Sequence, residues 1–164
     1  MNFLEELASE WFEYRGYYVR RNVMVGRRPG GGYECELDIV AFHPSERHLV
    51  QIEPSTDAHS WAKRKSRYGK KFKAGKKYIP ELFKGLDIPK EIEQIALFQV
   101  GSKKNHKMIA GGKVMLLDDL LLKILENLKP KRLGSNAVPE NFPLLRTLQL
   151  VTEYRSKVIN ILNV

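Results

Sequence analysis

The sequence predicts an α/β protein with a mixed central sheet flanked by helices on both faces. Segments that alternate like strands stand between segments with helical spacing of apolar residues. The chain has 164 residues, 43% of them hydrophobic, which is enough for one domain with its own core. It has no internal repeat, and no apolar run of the ~18 residues that span a bilayer, so we expect no membrane partner. We predict a single domain over 1–164, with a core over 1–130 and a helical extension over 131–164.

The first half of the chain is predicted as a helix followed by three strands. Apolar residues recur at helical spacing up to Gly16, a common helix terminator. The glycine-rich stretch 27–32 predicts a hairpin turn, because its glycine spacing matches no phosphate-binding loop. The strands are predicted at residues 17–25, 33–43 and 48–54.

The second half is predicted to contribute one more helix to the core, two more strands and two late helices. The core helix carries Gly69 and Gly75, which weaken it. The late helices are separated by the segment 128–143, whose three prolines include the first residue of the last helix. These elements are predicted, in order, as a helix over 58–74, strands over 93–100 and 113–117, and helices over 118–129 and 143–162.

The basic surplus of the chain is concentrated in the predicted core helix. Residues 61–77 contain nine Lys or Arg and no acid, which equals the formal net charge of +9. Such a density attracts phosphate backbones without sequence selectivity. Its aromatic side chains either pack against the core, which we favour, or stack on bases. We predict that DNA, with RNA as the alternative, contacts Lys63, Arg64, Lys65, Arg67, Lys70, Lys71 and Lys73.

Acidic residues are concentrated beside the most strand-like segments. Side chains alternate along a strand, so Glu36 and Asp38 share one face. Antiparallel pairing with the next strand brings Asp38 within reach of Glu53. Asp38 lies inside the apolar run LDIVA, where an unpaired charge is costly. Converging carboxylates repel one another unless they are protonated or neutralised by a cation, and hard oxygen ligands favour Mg²⁺ or Mn²⁺. We therefore predict Asp38 and Glu53 as metal ligands.

The segment EELASEWFEYRGYYVRRN, followed by ECELDIVA and LVQIEPS, resembles the PD-(D/E)XK nuclease superfamily. The layout is most similar to small Holliday-junction-resolvase-like and restriction-endonuclease-like members, and the likeness covers roughly residues 3–66. It implies a restriction-endonuclease-like fold and metal-dependent hydrolysis of phosphodiester bonds in DNA. In that pattern Glu5 is the helical acid, Glu36 and Asp38 are the middle acids, and Glu53 belongs to the last motif.

The chain departs from the family pattern at the lysine that normally follows the last acid by two residues. Ser55 stands there. Lys63 or Lys65 would supply the missing cation if it has migrated to the next helix. Alternatively, Gln51 and Glu53 form a shifted pair. In the third account the site has decayed, and the chain binds DNA or RNA without cleaving it.

Two observations bear on the setting of the protein. Cys35 is the one cysteine, so no internal disulfide forms, and the N-terminus lacks the pattern of a signal peptide. We therefore expect a cytoplasmic protein. A homodimer is consistent with cleavage of both strands of a duplex, because that reaction needs two sites.

Overall fold

The computed structural model describes residues 2–104 and 106–163. In chain order its helices and strands are α1 Phe3–Tyr14, β1 Tyr18–Arg27, β2 Tyr33–His43, β3 His48–Ser55, α2 Trp61–Leu82, β4 Glu93–Phe98, β5 Met108–Ile109, β6 Gly112–Leu116, α3 Leu117–Leu128, α4 Pro143–Glu153 and α5 Arg155–Leu162.

The strands form one six-stranded mixed sheet in the order β1-β2-β3-β4-β6-β5. The first three strands pair as an antiparallel meander, and β3 pairs with β4, and β4 with β6, in parallel. Successive residues of β2 and β3 are buried, including Ile39 at 1% and Val40 at 0% exposure. Because neighbouring side chains point to opposite faces, both faces of these strands are covered. The predicted α/β class with a mixed sheet is confirmed.

Helix α2 is longer than the sequence predicts. It continues to Leu82 through Gly69, Gly75 and Pro80. Its buried side chains recur at helical spacing, and Ala74 and Ile79 pack in one cluster with Phe42 and Leu49 of the sheet. Tertiary packing therefore outweighs the low helix propensity of its glycines.

Helix α1 begins with a capping box. The Asn2 side chain accepts hydrogen bonds from the backbone of Leu4 and Glu5, and the Glu5 carboxylate accepts one from the backbone of Asn2. This arrangement satisfies backbone N–H groups that would otherwise lack partners at the helix start. The helix contacts β1, β2 and β3.

Two further elements differ from the predicted ones. Strand β5 has only two residues, too few to show a period, and it joins β6 through Ala110 and Gly111, both with positive φ. The predicted terminal helix over 143–162 is divided at Tyr154 into α4 and α5. None of the helices in the described ranges is both long enough and apolar enough to cross a membrane.

The chain forms two compact units, Met1–Leu117 and Asp118–Val164. The first unit contains the whole sheet together with α1 and α2. The second contains α4, α5 and nearly all of α3. The sequence-based extension begins later, at 131, and the single domain remains a prediction.

Candidate functional site

Asp38 of β2 and Glu53 of β3 lie next to one another on adjacent strands. The pairing of the two strands runs as far as Ile39 opposite Ile52, and the two acids occupy the next position. The backbone N–H of Asp38 lies 3.4 Å from Glu53 Oε2. The two acids are thus neighbours, as strand alternation and the short turn between β2 and β3 predict.

A lysine of α2 joins the two acids. Lys71 Nζ lies 2.5 Å from Asp38 Oδ1 and 2.5 Å from Glu53 Oε2. The Lys71 side chain is 20% exposed and the Glu53 side chain 1% exposed, so this contact is shielded from solvent. Two carboxylate oxygens therefore converge on a single positive charge. We call Asp38, Glu53 and Lys71 the ionic triad.

The ionic triad carries more negative than positive charge when all three groups are ionised. Burial, followed by the nearby Asp38 carboxylate, raises the pKa of Glu53 to about 8. Burial acts to lower the pKa of Lys71, but Glu53 and Asp38 outweigh it and the net shift is upward. Lys71 is thus held as a cation, while burial and the Asp38 carboxylate favour the protonated form of Glu53 unless further positive charge arrives.

Two buried glutamines support the triad from below. Gln51 Nε2 donates to Glu53 Oε1 at 2.8 Å and to the Lys71 carbonyl at 3.1 Å. Gln94 Nε2 donates to Gln51 Oε1 at 2.7 Å and to the Phe72 carbonyl at 2.8 Å. Both polar atoms of the Gln51 amide are therefore engaged within the protein, and one of them fixes Glu53.

Helix α2 approaches this glutamine so closely that only glycine fits at position 75. A Cβ atom at Gly75 would lie 1.8 Å from Gln51 Oε1. The glycine that weakens α2 as a helix therefore admits the side chain that holds Glu53. Gly75 thus lowers the helix propensity of α2 but leaves the space that Gln51 needs to hold Glu53 in the ionic triad.

The ionic triad opens into a cavity of about 330 Å³. Polar groups at its wall are ordered around Asp57, which accepts hydrogen bonds from Ser55 Oγ at 2.5 Å and from Arg67 at 2.6 Å. Burial acts to raise the pKa of Asp57, but these donors hold it well below the usual range. The lining residues are Asn2, Asp38, Glu53, Pro54, Ser55, Thr56, Asp57, Arg67, Tyr68 and Lys71.

The other acids predicted for the site lie outside the triad. Glu36 is exposed on β2, two residues before Asp38. Glu5 is bound to Asn2 at the start of α1, and Asn2 rather than Glu5 lines the cavity. Glu5 therefore contacts a residue that lines the cavity, but it does not line the cavity together with Asp38 and Glu53.

The lysine that reaches the carboxylates differs from the two suggested by the sequence. Lys63 and Lys65 are exposed, and in the described part of the chain neither forms an ion pair with Asp38 or Glu53. Lys71, which is predicted from the sequence to contact nucleic acid, occupies that position. The sequence contains an indication of this position. Lys71 directly precedes Phe72 and follows Tyr68 by three residues, so it lies beside the buried face of α2.

The predicted phosphate-binding residues fall into three groups. Arg64 is only 4% exposed, and its guanidinium donates to the carbonyls of Asp57 and Val100 and lies over Phe98, so it stabilises the fold. Arg67 and Lys71 line the cavity. The remaining residues are exposed on α2: Lys63, Lys65, Lys70 and Lys73.

Within residues 2–104 and 106–163, no three His, Cys, Asp or Glu side chains cluster as a metal site. Any metal at the triad would therefore rely on two protein carboxylates. Comparisons of the chain with protein-family models, with curated proteins and with solved structures find no match.

Proposed function

We propose that this chain is a metal-dependent nuclease of restriction-endonuclease-like fold that hydrolyses phosphodiester bonds in DNA. The observation that carries the proposal is the position of Lys71 Nζ, 2.5 Å from both Asp38 and Glu53. The resemblance to PD-(D/E)XK nucleases calls for a lysine beside two acids, and its strand position holds Ser55. A lysine from α2 answers that requirement from another element.

The order of elements also supports the proposal. A helix, three antiparallel strands and a basic helix follow one another, with the two acids on the second and third strands. This order agrees with the layout on which the resemblance rests. Strand β4 then extends the sheet in parallel beside β3, so the site lies at the centre of the sheet.

The donor chemistry of the triad fits Mg²⁺ or Mn²⁺. Magnesium is commonly held by one or two carboxylates, with water and substrate phosphate completing its shell. Asp38 and Glu53 would hold the ion, and its positive charge would favour ionisation of Glu53. When bound, the metal would supply Lewis-acid stabilisation of the phosphoryl charge.

The residues of the chain have separate tasks in this proposal. Lys71 donates to a nonbridging oxygen of the scissile phosphate and stabilises its charge in the transition state. Gln51 keeps Glu53 oriented through its 2.8 Å hydrogen bond. The exposed lysines of α2, among them Lys70 and Lys73, hold neighbouring phosphates by charge alone.

The test is cleavage of labelled linear, nicked, single-stranded and branched DNA with Mg²⁺, Mn²⁺ or EDTA. We expect cleavage that depends on metal and falls by about 100-fold or more in Asp38→Asn and in Lys71→Met. Lys84→Met is the control, since Lys84 is an exposed lysine after the end of α2 that has no task in this proposal. It should retain nearly full cleavage.

Cleavage that is insensitive to EDTA, or full activity in Asp38→Asn, would contradict the proposal. Circular dichroism and thermal unfolding of each variant separate loss of the site from loss of the fold.

A non-catalytic nucleic-acid-binding module is the second candidate function. It is favoured by the fact that the Lys71 ammonium already occupies the point where both carboxylate oxygens converge. In that case the triad is a buried structural ion pair. Salt-sensitive DNA or RNA binding without cleavage, equal in wild type and Asp38→Asn and independent of metal, would identify this function.

A further inference from the structure

A second cavity lies beside the first turn of α2. Its volume is about 390 Å³. It is bordered by the start of that helix on one side and by β5 and its turn on the other. Its lining residues are Trp61, Ala62, Lys65, His106, Met108, Ile109 and Ala110. None of them belongs to the ionic triad.

Flat and apolar groups dominate the lining of this cavity. The Trp61 indole and the His106 imidazole are stacked, with ring centroids 3.9 Å apart and an interplanar angle of 21°. Trp61 also meets the Phe98 ring edge-on at 5.7 Å, which anchors it to β4. Met108 is 55% exposed, so a polarisable thioether stands at the open side. Such walls suit a flat aromatic ligand.

The surroundings of the cavity are basic. Lys65 is one of the lining residues. The sequence between β4 and β5 has three lysines, Lys103, Lys104 and Lys107, and no acid. The cavity is therefore lined by residues of two chain segments that are basic in sequence, namely α2 and the segment around His106. An apolar peptide gains nothing from this charge, and a free phosphate gains nothing from the apolar walls, whereas a base on a phosphate backbone uses both.

The sheet connects this cavity to the one at the ionic triad. Ser55 of β3 lines the first cavity, and Phe98, its partner in the parallel pairing with β4, packs against Trp61 of the second. Both cavities therefore lie at the same end of the central strands. A nucleic-acid chain that places one phosphate at the triad has a base pocket close by.

We propose that the cavity beside Trp61 binds one unstacked base of a single-stranded or locally opened nucleic acid. This inference rests on the proposed nucleic-acid function and narrows its substrate class. Bases inside a duplex are stacked on both faces, so the pocket selects strands with free bases. Met108 and His106 are the residues that contact the base.

The test is equilibrium binding in EDTA, so that no strand is cleaved. The probes are a fluorescent single strand of about 12 nucleotides, an abasic strand of the same length and charge, and the matching duplex. We expect the strand with bases to bind about tenfold more tightly than the abasic strand. Met108→Ala and His106→Ala should each remove most of this difference. Leu86→Ala, which removes a 57% exposed leucine elsewhere, should leave it unchanged.

The outcomes separate the two proposals. Equal binding of normal and abasic strands, or tighter binding of the duplex, would overturn the base pocket and leave the nucleic-acid function standing. If none of the three probes binds, both the pocket and the nucleic-acid function fail. Because Met108 is exposed and His106 lies in a loop, both substitutions should preserve the fold, and thermal unfolding verifies this.

Discussion

At position 55 the chain has a serine whose side chain faces the same cavity as the ionic triad. Ser55 Oγ donates to Asp57, and the residue is 4% exposed. A strand position two residues after Glu53 points to the same face as Glu53 itself. A lysine side chain at position 55 would therefore enter the same cavity that Lys71 enters from α2.

The shared cavity predicts a rescue. If the chain is the nuclease proposed above, Lys71→Ala should lower metal-dependent cleavage by about 100-fold or more, because that proposal places the Lys71 cation beside the phosphate. Adding Ser55→Lys to that variant should restore a measurable part of the activity, about tenfold or more. The comparison uses single-turnover rates. Ser55→Arg serves as the control, because its larger planar group does not reproduce a lysine point charge.

If Ser55→Lys fails to raise the activity of a folded Lys71→Ala protein, the role given to Lys71 is wrong.

The pKa of Glu53 predicts how stability changes with pH. Its folded-state value of about 8 lies above the ordinary 4.5, so the folded protein keeps a proton that the unfolded chain has lost. Raising the pH from about 4.5 to about 8 therefore lowers the free energy of unfolding. Lys71, whose pKa is raised above 10.5, stays charged throughout.

Glu53→Gln mimics the protonated side chain and removes this titration. We expect the melting temperatures of wild type and variant to be similar at about pH 5, with the variant several degrees higher at about pH 9. Thermal unfolding in EDTA at both pH values measures the difference. A constant difference across the range would show that Glu53 does not titrate there.

At the scale of elements, α2 joins the basic surface to the ionic triad. Its two glycines lie in different surroundings. At Gly75 an added Cβ would collide with Gln51 at 1.8 Å, whereas at Gly69 the nearest atom, in Ala110, lies 3.8 Å away. Both positions are helical, so they form a matched pair.

Gly75→Ala should therefore destabilise the protein by about 2 kcal/mol or more, because it overpacks the helix contact and displaces a buried hydrogen-bonded amide. Gly69→Ala should stabilise it by about 0.5–1 kcal/mol, through helix propensity and lower unfolded-state entropy. Urea unfolding of both variants checks the opposite signs. A gain in stability at Gly75 would contradict the close approach of α2 to Gln51.

The sequence predicted β2 and β3 well, because polar and apolar residues alternate along parts of both strands and a polar turn joins them. It also paired Asp38 with Glu53, because strand alternation and a short turn determine that contact. It did not select Lys71 among the lysines of α2, since that choice depends on how the helix is rotated against the sheet. The rotation is set by tertiary packing of side chains such as Tyr68 and Phe72.

At the scale of the whole molecule, charge is unevenly distributed over the surface. The exposed lysines of α2 carry no acids among them along residues 61–77. Elsewhere several basic groups are paired, as Lys113 is with Glu93 at 2.5 Å. The strongly positive surface is therefore a property of one side of α2 more than of the chain as a whole.

If the chain binds DNA as proposed, this distribution predicts how that binding depends on salt. Lys70→Ala with Lys73→Ala should reduce the slope of log K against log salt by about 1.5, or about 0.7–0.9 for each phosphate that is no longer neutralised. Lys84→Ala with Lys90→Ala, which removes the same charge at exposed positions after α2, should leave the slope nearly unchanged. Titrations at several salt concentrations measure both slopes. Equal effects of the two pairs would mean that net charge alone governs binding.

The delivery of Lys71 by a helix also decides where the chain tolerates insertions and deletions. One residue added or removed between the helix cap Ser60 and Lys71 would rotate the lysine by about 100° about the axis of α2 and turn it away from Asp38. A change of length in the hairpin turn between β1 and β2 would not rotate Lys71 in this way. In relatives of this protein that keep the triad, insertions and deletions should therefore be more frequent in that turn than between positions 60 and 71.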